Sequence, residues 1–162
     1  VCSSDLKWLQ LNPNSLIMQG DPAFEKSYDS TMKFESGKSK SKLTGTDSLS
    51  WKDKSWVIGV NAETQSKAYD WNQLKKERVI HDKLGNTAVA IVLASDDKSF
   101  FVFELPPSET SLSITNDTLL LNKKHFRLDG RGIDTSYTLK RRQASQEFWH
   151  SWKTFHPDTQ KF

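Results

Sequence analysis

The sequence has 162 residues, 35% of them hydrophobic, and a formal net charge of +3 from 23 basic and 20 acidic side chains. This length is enough for one domain with its own core, to which six Trp and nine Phe contribute large apolar side chains. Acidic and basic residues are interspersed and no apolar stretch approaches the roughly 20 residues of a membrane span, so we expect neither a nucleic-acid partner nor a spanning helix.

The first residues do not resemble native protein sequence. Val1–Leu6 reads as the translated 3′ end of a common sequencing adapter (GTG TGC TCT TCC GAT CT), and we interpret it as an artefact that precedes the native residues. Cys2, the single cysteine, lies within it. On this interpretation disulfides, thiolate metal sites and cysteine nucleophiles are excluded from the remaining sequence.

The next region predicts the end of one unit followed by a linker. Lys7–Leu11 predicts the last turns of a helix, because Pro13 cannot continue the hydrogen-bond ladder. A short extended segment at residues 16–18 and a turn or short helix at residues 21–28 follow. We therefore assign residues 7–35 to the tail of a first half.

Residues 36–48 are rich in Ser, Lys and Gly, a composition that predicts a flexible linker. Residues 49–162 then form the second half-domain of a two-half repeat.

Within that half-domain, short apolar segments alternate with turn residues. Asn61–Ser66, Asp82–Asn86 and Asn116 with Asp117 predict turns, and Trp71–Arg78 predicts a short helix. The predicted strands are Ser55–Val60, Lys67–Trp71, Arg78–His81, Thr87–Ala94, Ser99–Leu105, Leu112–Thr115, Thr118–Asn122 and His125–Leu128.

The strongest helical pattern is at the C-terminal end. Gln143–Phe155 predicts a helix that ends at His156, with an aromatic face that we assign to the core. That face consists of Phe148, Trp149, Trp152 and Phe155. Many short strands with one strong helix predict an α+β fold, rich in β-structure, with an antiparallel sheet.

Two helix ends in the sequence resemble each other. Trp8 lies five residues before Pro13, and Trp152 lies five residues before Pro157. In both places Asn or Asp follows the proline, and Ser or Thr comes next. This internal match predicts two related halves.

These motifs resemble the family of domain of unknown function 3179. The similarity lies in Trp56–Val60, Lys67–Asp70, Ile80–Asp82 with Gly85, and above all the ending Glu147–Thr159. The opening segment from Trp8 to residue 18 resembles the close of the family's first half.

Two positions depart from the family pattern. Asp70 replaces a proline, and Ala94–Asp96 stands where the family's first half carries Cys-Pro-Leu. The resemblance implies a bacterial cell-envelope protein, extracytoplasmic or membrane-associated, without an established activity.

Three residues are candidate binding residues: Tyr69, His81 and Asp82. Asp82 could orient His81 as a base or a metal ligand, or it could begin the turn at residues 82–86. We predict no catalytic residue, no metal ligand set and no cofactor, because the spacing of the four histidines does not force any pair together.

Other patterns have simpler interpretations. His150 and His156 do not share a helix face, and His156 suits the helix C-terminus. Asp129–Asp134 is a glycine-containing turn with too few carboxylates for a calcium loop.

The leading hypothesis is a structural or binding module whose partner is an N-terminal half of the same protein. The alternative is part of an enzyme or metal-binding protein whose site lies in, or against, that other half.

Overall fold

The computed structural model describes residues 3–16, 19–27, 49–62, 65–107 and 111–162, with the backbone alone for residues 3–6. Helix α1 (Ser3–Leu11) ends before Pro13 as predicted, and a 3-10 helix follows at Pro22–Ser27. The predictions for residues 17, 18 and 28–48, which include the linker, lie outside the described residues. None of the helices that the structure describes is long and apolar enough to cross a membrane.

The described part of residues 49–162 forms three sheets, which confirms the predicted β-rich, antiparallel fold with a C-terminal helix. Their strands are β1 (Trp56–Ala62), β2 (Gln65–Asp70), β3 (Val79–Leu84), β4 (Thr87–Leu93), β5 (Phe100–Glu104), β6 (Leu112–Thr115), β7 (Thr118–Leu121), β8 (Lys124–Phe126), β9 (Lys140–Arg142), β10 (Ala144–Phe148) and β11 (Gln160–Lys161). The helices are α2 (Trp71–Glu77) and α3 (Trp149–Phe155).

The strand orders are β10-β1-β2-β11, β3-β4-β5-β9 and β6-β7-β8. We call these sheets A, B and C. All strand pairs are antiparallel except β2 with β11, which is parallel.

The sheets and α3 form successive layers, because alternate residues of each strand face opposite sides. Between sheets A and B lies a core that includes Ile58, Tyr69 and Ile91. The other face of sheet B packs on sheet C, whose Phe126 joins this second core. The other face of sheet A packs on Trp149 and Trp152 of α3.

The predicted helix Gln143–Phe155 is wrong in its first half. Residues 144–148 form β10, which pairs with β1 from Val60 opposite Ala144 to Trp56 opposite Phe148. Hydrogen bonding to β1 outweighs the local helical pattern here. Gln143 connects β9 in sheet B to β10 in sheet A, so this segment joins two sheets.

The predicted aromatic helix face is also divided. Trp149 and Trp152 are buried, as expected, whereas Phe155 is 76% exposed. Phe148 lies on β10 and stacks on Trp56, with 4.2 Å between ring centroids. Only the two tryptophans therefore form the helix side of the core.

Two predicted turns are shorter than expected. β1 and β2 extend the hairpin to Ala62 opposite Gln65, so most of the predicted turn Asn61–Ser66 is strand. β3 runs to Leu84, which places Asp82 in the strand opposite Val89 and not at the start of a turn. Gly85, with φ of 60°, makes the reversal that follows.

Candidate functional site

Two of the predicted binding residues meet between sheets A and B. The Tyr69 hydroxyl on β2 donates to Asp82 Oδ2 on β3 over 2.9 Å. The same carboxylate oxygen lies 2.5 Å from Lys67 Nζ, a partner that we did not predict. Lys67 and Tyr69 are two residues apart on β2, so their side chains share the face that meets β3.

The environment of this cluster keeps Tyr69 protonated. Burial raises the pKa of the Tyr69 phenol, and the charge of Asp82 and its hydrogen bond raise the pKa further. The phenol is therefore a fixed hydrogen-bond donor at physiological pH, and it cannot act as a base. Together with the Lys67 ammonium, it satisfies the Asp82 carboxylate, whose side chain is only 15% exposed.

The C-terminal residue covers one side of the cluster. The Phe162 ring lies 5.4 Å from the Tyr69 ring centroid. Lys67 Nζ lies over the same Phe162 ring, 5.4 Å from its centroid. The Phe162 backbone N–H donates to the Ala68 carbonyl over 3.0 Å, which holds the ring in place. The cluster is thus closed by the chain itself.

His81 has different partners from Asp82. Its Nε2 atom lies 3.0 Å from the Leu112 N–H and 2.9 Å from the Leu112 carbonyl oxygen. According to its tautomer, Nε2 either accepts from this N–H or donates to this carbonyl, and in both cases the imidazole connects sheet B to the start of β6 in sheet C. The structure does not bring His81 together with Tyr69 and Asp82, and a binding role for the three residues stays a prediction.

The remaining histidines also contact separate groups. His125 Nδ1 lies 2.7 Å from Asp134 Oδ2, and this hydrogen bond lowers the pKa of the exposed Asp134 carboxyl. His150 Nδ1 lies 3.1 Å from the Asp53 carbonyl oxygen. His156 forms the C-cap of α3, as predicted. Within the residues that the structure describes, no three His, Cys, Asp or Glu side chains converge as metal ligands.

The predicted turn Asp129–Asp134 divides its two carboxylates between different partners. Asp129 accepts from the Arg131 backbone N–H over 3.0 Å. Asp134 instead accepts from both the backbone N–H and the ring of His125. The separation of the two acids agrees with the interpretation of this segment as a turn.

A polar cleft of about 470 Å³ lies where the chain crosses from sheet B to sheet A. Glu104 lies 2.9 Å from Lys140 Nζ and 2.7 Å from Arg142 Nη2. Burial alone raises the pKa of Glu104, but its hydrogen bonds and the charges of these two partners hold it below the usual value. Ser145, the hydroxyl residue of the cleft, donates to the Glu147 carboxylate over 2.8 Å. The Glu104 carboxylate is therefore fully paired, whereas the cleft has an excess of basic side chains, with Arg141 and Arg142 in its lining and Lys140 beside it.

The sequence match between the two helix ends is accompanied by matching contacts. In the first unit (residues 3–16, the Trp8 unit), the Trp8 indole N–H donates to Ser15 Oγ over 2.9 Å. The Asn12 N–H donates to the Trp8 carbonyl over 2.8 Å, and the Ser15 N–H donates to the Asn12 carbonyl over 3.1 Å. The Asn12 side chain also donates to the Trp8 carbonyl over 3.2 Å.

The second unit (residues 149–161, the Trp152 unit) has a counterpart for each contact. The Trp152 indole N–H donates to Thr159 Oγ1 over 2.8 Å. The His156 N–H donates to the Trp152 carbonyl over 2.9 Å, and the Thr159 N–H donates to the His156 carbonyl over 3.0 Å. His156 Nδ1 lies 3.1 Å from the Trp152 carbonyl oxygen. The two units therefore share one local hydrogen-bond pattern.

The units differ in what covers their tryptophans. Trp152 is 2% exposed and lies against Gly59 of β1, where an added Cβ would be 2.1 Å from the ring. Trp8 is 52% exposed, and Leu16 after it is 98% exposed. The Trp8 unit is attached to the domain at other points, because Lys7 Nζ lies 2.6 Å from Asp117 and Leu11 packs on the core between sheets B and C.

Comparison with known proteins shows a family relationship and nothing closer. Neither the curated proteins nor the solved structures contain a significant match to the chain. A family model described as "Protein of unknown function (DUF3179)" matches residues 3–159. Because that match covers nearly the whole chain, including both Trp8 and Trp152, this protein belongs to the DUF3179 family.

Proposed function

We propose that this chain is a structural or binding module, without a catalytic site of its own, that docks against a second unit of related architecture. The observation that carries the proposal is the pair of tryptophan units. They share four local hydrogen-bond contacts, yet Trp152 is buried on a sheet and Trp8 is half exposed. This difference between two units with the same contacts supports the proposal that a sheet in another segment covers Trp8.

The contacts of the Trp152 unit predict which structural features the covering segment has. Trp152 needs a glycine beneath it, because any side chain at Gly59 would collide with the indole. β11 then adds to the edge of β2 in parallel, with Gln160 opposite Lys67. We expect Trp8 to pack on a glycine of a β1–β2-type hairpin, and the residues after Ser15 to extend that hairpin as an edge strand.

We place this second hairpin in an N-terminal half of the same protein, since the hairpin of β1 and β2 precedes the Trp152 unit along the chain. A bacterial cell-envelope location is a further proposal that rests on the family resemblance alone. The absence of a one-sided basic stripe in the sequence supports a partner other than nucleic acid.

The pairing of the carboxylates at these two sites supports a role other than catalysis. The Tyr69 phenol is held protonated, and its acceptor Asp82 is also paired with Lys67. Glu104 is similarly paired with Lys140 and Arg142. Groups that are satisfied in this way stabilise a folded module and are poorly placed to exchange protons with a substrate.

The two tryptophans provide the test within this chain. Trp152→Ala should lower the free energy of unfolding by about 3–5 kcal/mol, as expected for a buried large aromatic side chain. Trp8→Ala should lower it by less than about 0.5 kcal/mol, as expected for a surface position. Chemical denaturation of both variants gives the two values, and each variant is the matched control for the other.

The exposed face of the Trp8 unit gives a second measurement. The unmodified chain should bind a fluorescent dye that reports apolar surface, and Trp8→Ala should weaken that binding. If the chain stays strictly monomeric at high concentration and binds no such dye, the proposal that the Trp8 unit docks on a partner surface is contradicted. Equal destabilisation by the two alanine variants would also contradict it, because Trp8 would then already be packed.

A further inference from the structure

Two tryptophans, one of them the first residue of the Trp152 unit, form a right-angled pair of aromatic rings. Trp51, in the turn before β1, and Trp149, the first residue of α3, have ring centroids 5.2 Å apart and planes at 88°. Trp149 is 8% exposed and packs with Trp51 beside Val57 and Ala68 on sheet A. We call Trp51 and Trp149 the indole pair.

One cation lies over both faces of the indole pair. Lys161 Nζ is 4.9 Å from the Trp51 ring centroid and 4.7 Å from the Trp149 ring centroid. Both distances are within the range of about 6 Å over which the ring quadrupole attracts a cation. In the described part of the chain, no carboxylate lies within ion-pair distance of this ammonium, so the rings are its main electrostatic partners.

The backbone at Trp51 is held in an unfavourable conformation to present this ring. Its φ of 64° lies in the left-handed region, which bulky residues rarely adopt. The turn is fixed by hydrogen bonds on both sides, from Ser50 Oγ to Asp70 over 2.5 Å and from the Lys52 N–H to Ser55 Oγ over 2.9 Å. Strain of this kind persists where the surrounding structure imposes it, and it is common at binding sites.

We propose that the indole pair is a binding site for a small quaternary ammonium group, and that Lys161 occupies it as a tethered competitor. A primary ammonium has three N–H donors that need acceptors, and aromatic faces supply them poorly. A quaternary ammonium has no N–H group and presents methyl groups to the two ring faces, while its charge keeps the cation–π attraction. The indole pair therefore matches a trimethylammonium group better than it matches lysine.

The position of Lys161 fits a replaceable occupant. It belongs to β11, a strand of two residues, both of them exposed, at the edge of sheet A. Removing its ammonium leaves the neighbouring attachments of the chain end in place, since Thr159 bonds Trp152 and Phe162 bonds Ala68. A tethered group competes at an effective concentration of about millimolar, so its removal should expose the site to millimolar ligands.

The test is a titration with choline chloride, followed by tryptophan fluorescence at constant ionic strength. Lys161→Ala should bind choline with a half-saturation concentration at least about tenfold below that of the unmodified chain, because the competitor is gone. Lys161→Met, which keeps an apolar stem, is the second variant and should also gain affinity. The neutral tert-butyl analogue of choline, which has the same shape without the charge, should bind to neither variant.

Substitution of a tryptophan of the indole pair completes the experiment. Trp51→Leu in the Lys161→Ala background should abolish choline binding, with circular dichroism to establish that the variant is folded. Trp56→Leu in the same background is the matched control, because Trp56 stacks on Phe148 instead, and it should leave binding unchanged. Three results would overturn the proposal. Choline could bind equally well with and without Lys161, the neutral analogue could bind as choline does, or choline binding could survive the loss of Trp51. The absence of saturable binding in both Lys161 variants would overturn it as well.

Discussion

At Asp82, one carboxylate oxygen accepts both the Tyr69 hydroxyl and the Lys67 ammonium, and each partner comes from the facing sheet. This residue therefore connects β3 of sheet B to β2 of sheet A inside the shared core. A buried polar group is costly to leave unsatisfied, so the three side chains depend on one another. Their arrangement stabilises the alignment of two sheets that share no backbone hydrogen bonds between these strands.

The buried phenol predicts a specific loss of stability at high pH. The pKa of Tyr69 is raised in the folded protein, whereas the pKa of a tyrosine in the unfolded chain is about 10. The stabilisation is fully present below that pH and is lost as the pH rises, because only the unfolded state releases the proton. Above about pH 10, the stability difference between the unmodified chain and Tyr69→Phe should shrink by about 1.4 kcal/mol per pH unit.

Chemical denaturation over a series of pH values measures this slope. Tyr137→Phe is the matched control, because it removes the hydroxyl of a tyrosine that is 46% exposed and lies outside this cluster. A stability difference between the unmodified chain and Tyr69→Phe that does not vary with pH would show that the Tyr69 phenol is not held protonated by the fold.

Residue patterns in the sequence identified part of this cluster. Tyr69 and Asp82 were both predicted as binding residues, and they do meet, but the proposed pairing of Asp82 with His81 is not what the structure shows. Lys67 was missed as a member of the cluster, because a lysine is normally a surface residue. The contact joins strands of different sheets, and no local spacing in the sequence encodes it.

Among the elements, the hairpins of sheet C are determined mainly by their turns. Asn116 with Asp117, and Asn122 with Lys123, occupy the two central positions of tight turns, and all four residues have positive φ. Two-residue hairpin turns need this conformation, which Asn and Gly adopt more readily than other residues. The turn at Asn116 and Asp117 was predicted, and β6 and β7 on either side of it were predicted closely. The turn at Asn122 and Lys123 was not predicted, since Asn122 was assigned to a strand.

The two turns differ in their tertiary contacts, so we expect glycine substitutions in them to have opposite effects on stability. Lys123→Gly should stabilise the protein by up to about 1 kcal/mol, because it relieves the left-handed conformation of an exposed lysine. Asp117→Gly should destabilise it, since Asp117 also binds Lys7 over 2.6 Å and the Ser95 N–H over 2.8 Å. Thermal or chemical denaturation of the two variants decides this, and a loss of stability in Lys123→Gly would show that its turn is not strained.

The boundary between β10 and α3 shows why the predicted helix Gln143–Phe155 is wrong in its first half. The four aromatic residues from Phe148 to Phe155 have helical spacing, so the sequence before them was predicted as the same helix. In the structure, residues 144–148 pair with β1 across the sheet. Long-range strand pairing decides this segment, and a local pattern carries no information about the partner strand.

In the molecule as a whole, α3 and three sheets form consecutive layers with cores between them. The Trp152 unit closes the outer face of sheet A, and its last strand adds to the sheet edge. The Trp8 unit attaches elsewhere, through Lys7 and Leu11, and leaves its tryptophan half exposed. This asymmetry between two units with one contact pattern is the basis for proposing a module that docks against a related half.

The most direct measurement of that claim compares Trp8→Ala in two proteins: the present chain, and the product of the same gene expressed with its upstream coding sequence. In the longer protein, Trp8 should be buried on its own glycine. The substitution should then cost about 3–5 kcal/mol of unfolding free energy, the range for a buried large aromatic, against less than about 0.5 kcal/mol in the present chain. An equally small loss of unfolding free energy in both proteins would contradict docking of the Trp8 unit on a related half. An upstream sequence that encodes no glycine-bearing hairpin would contradict it as well.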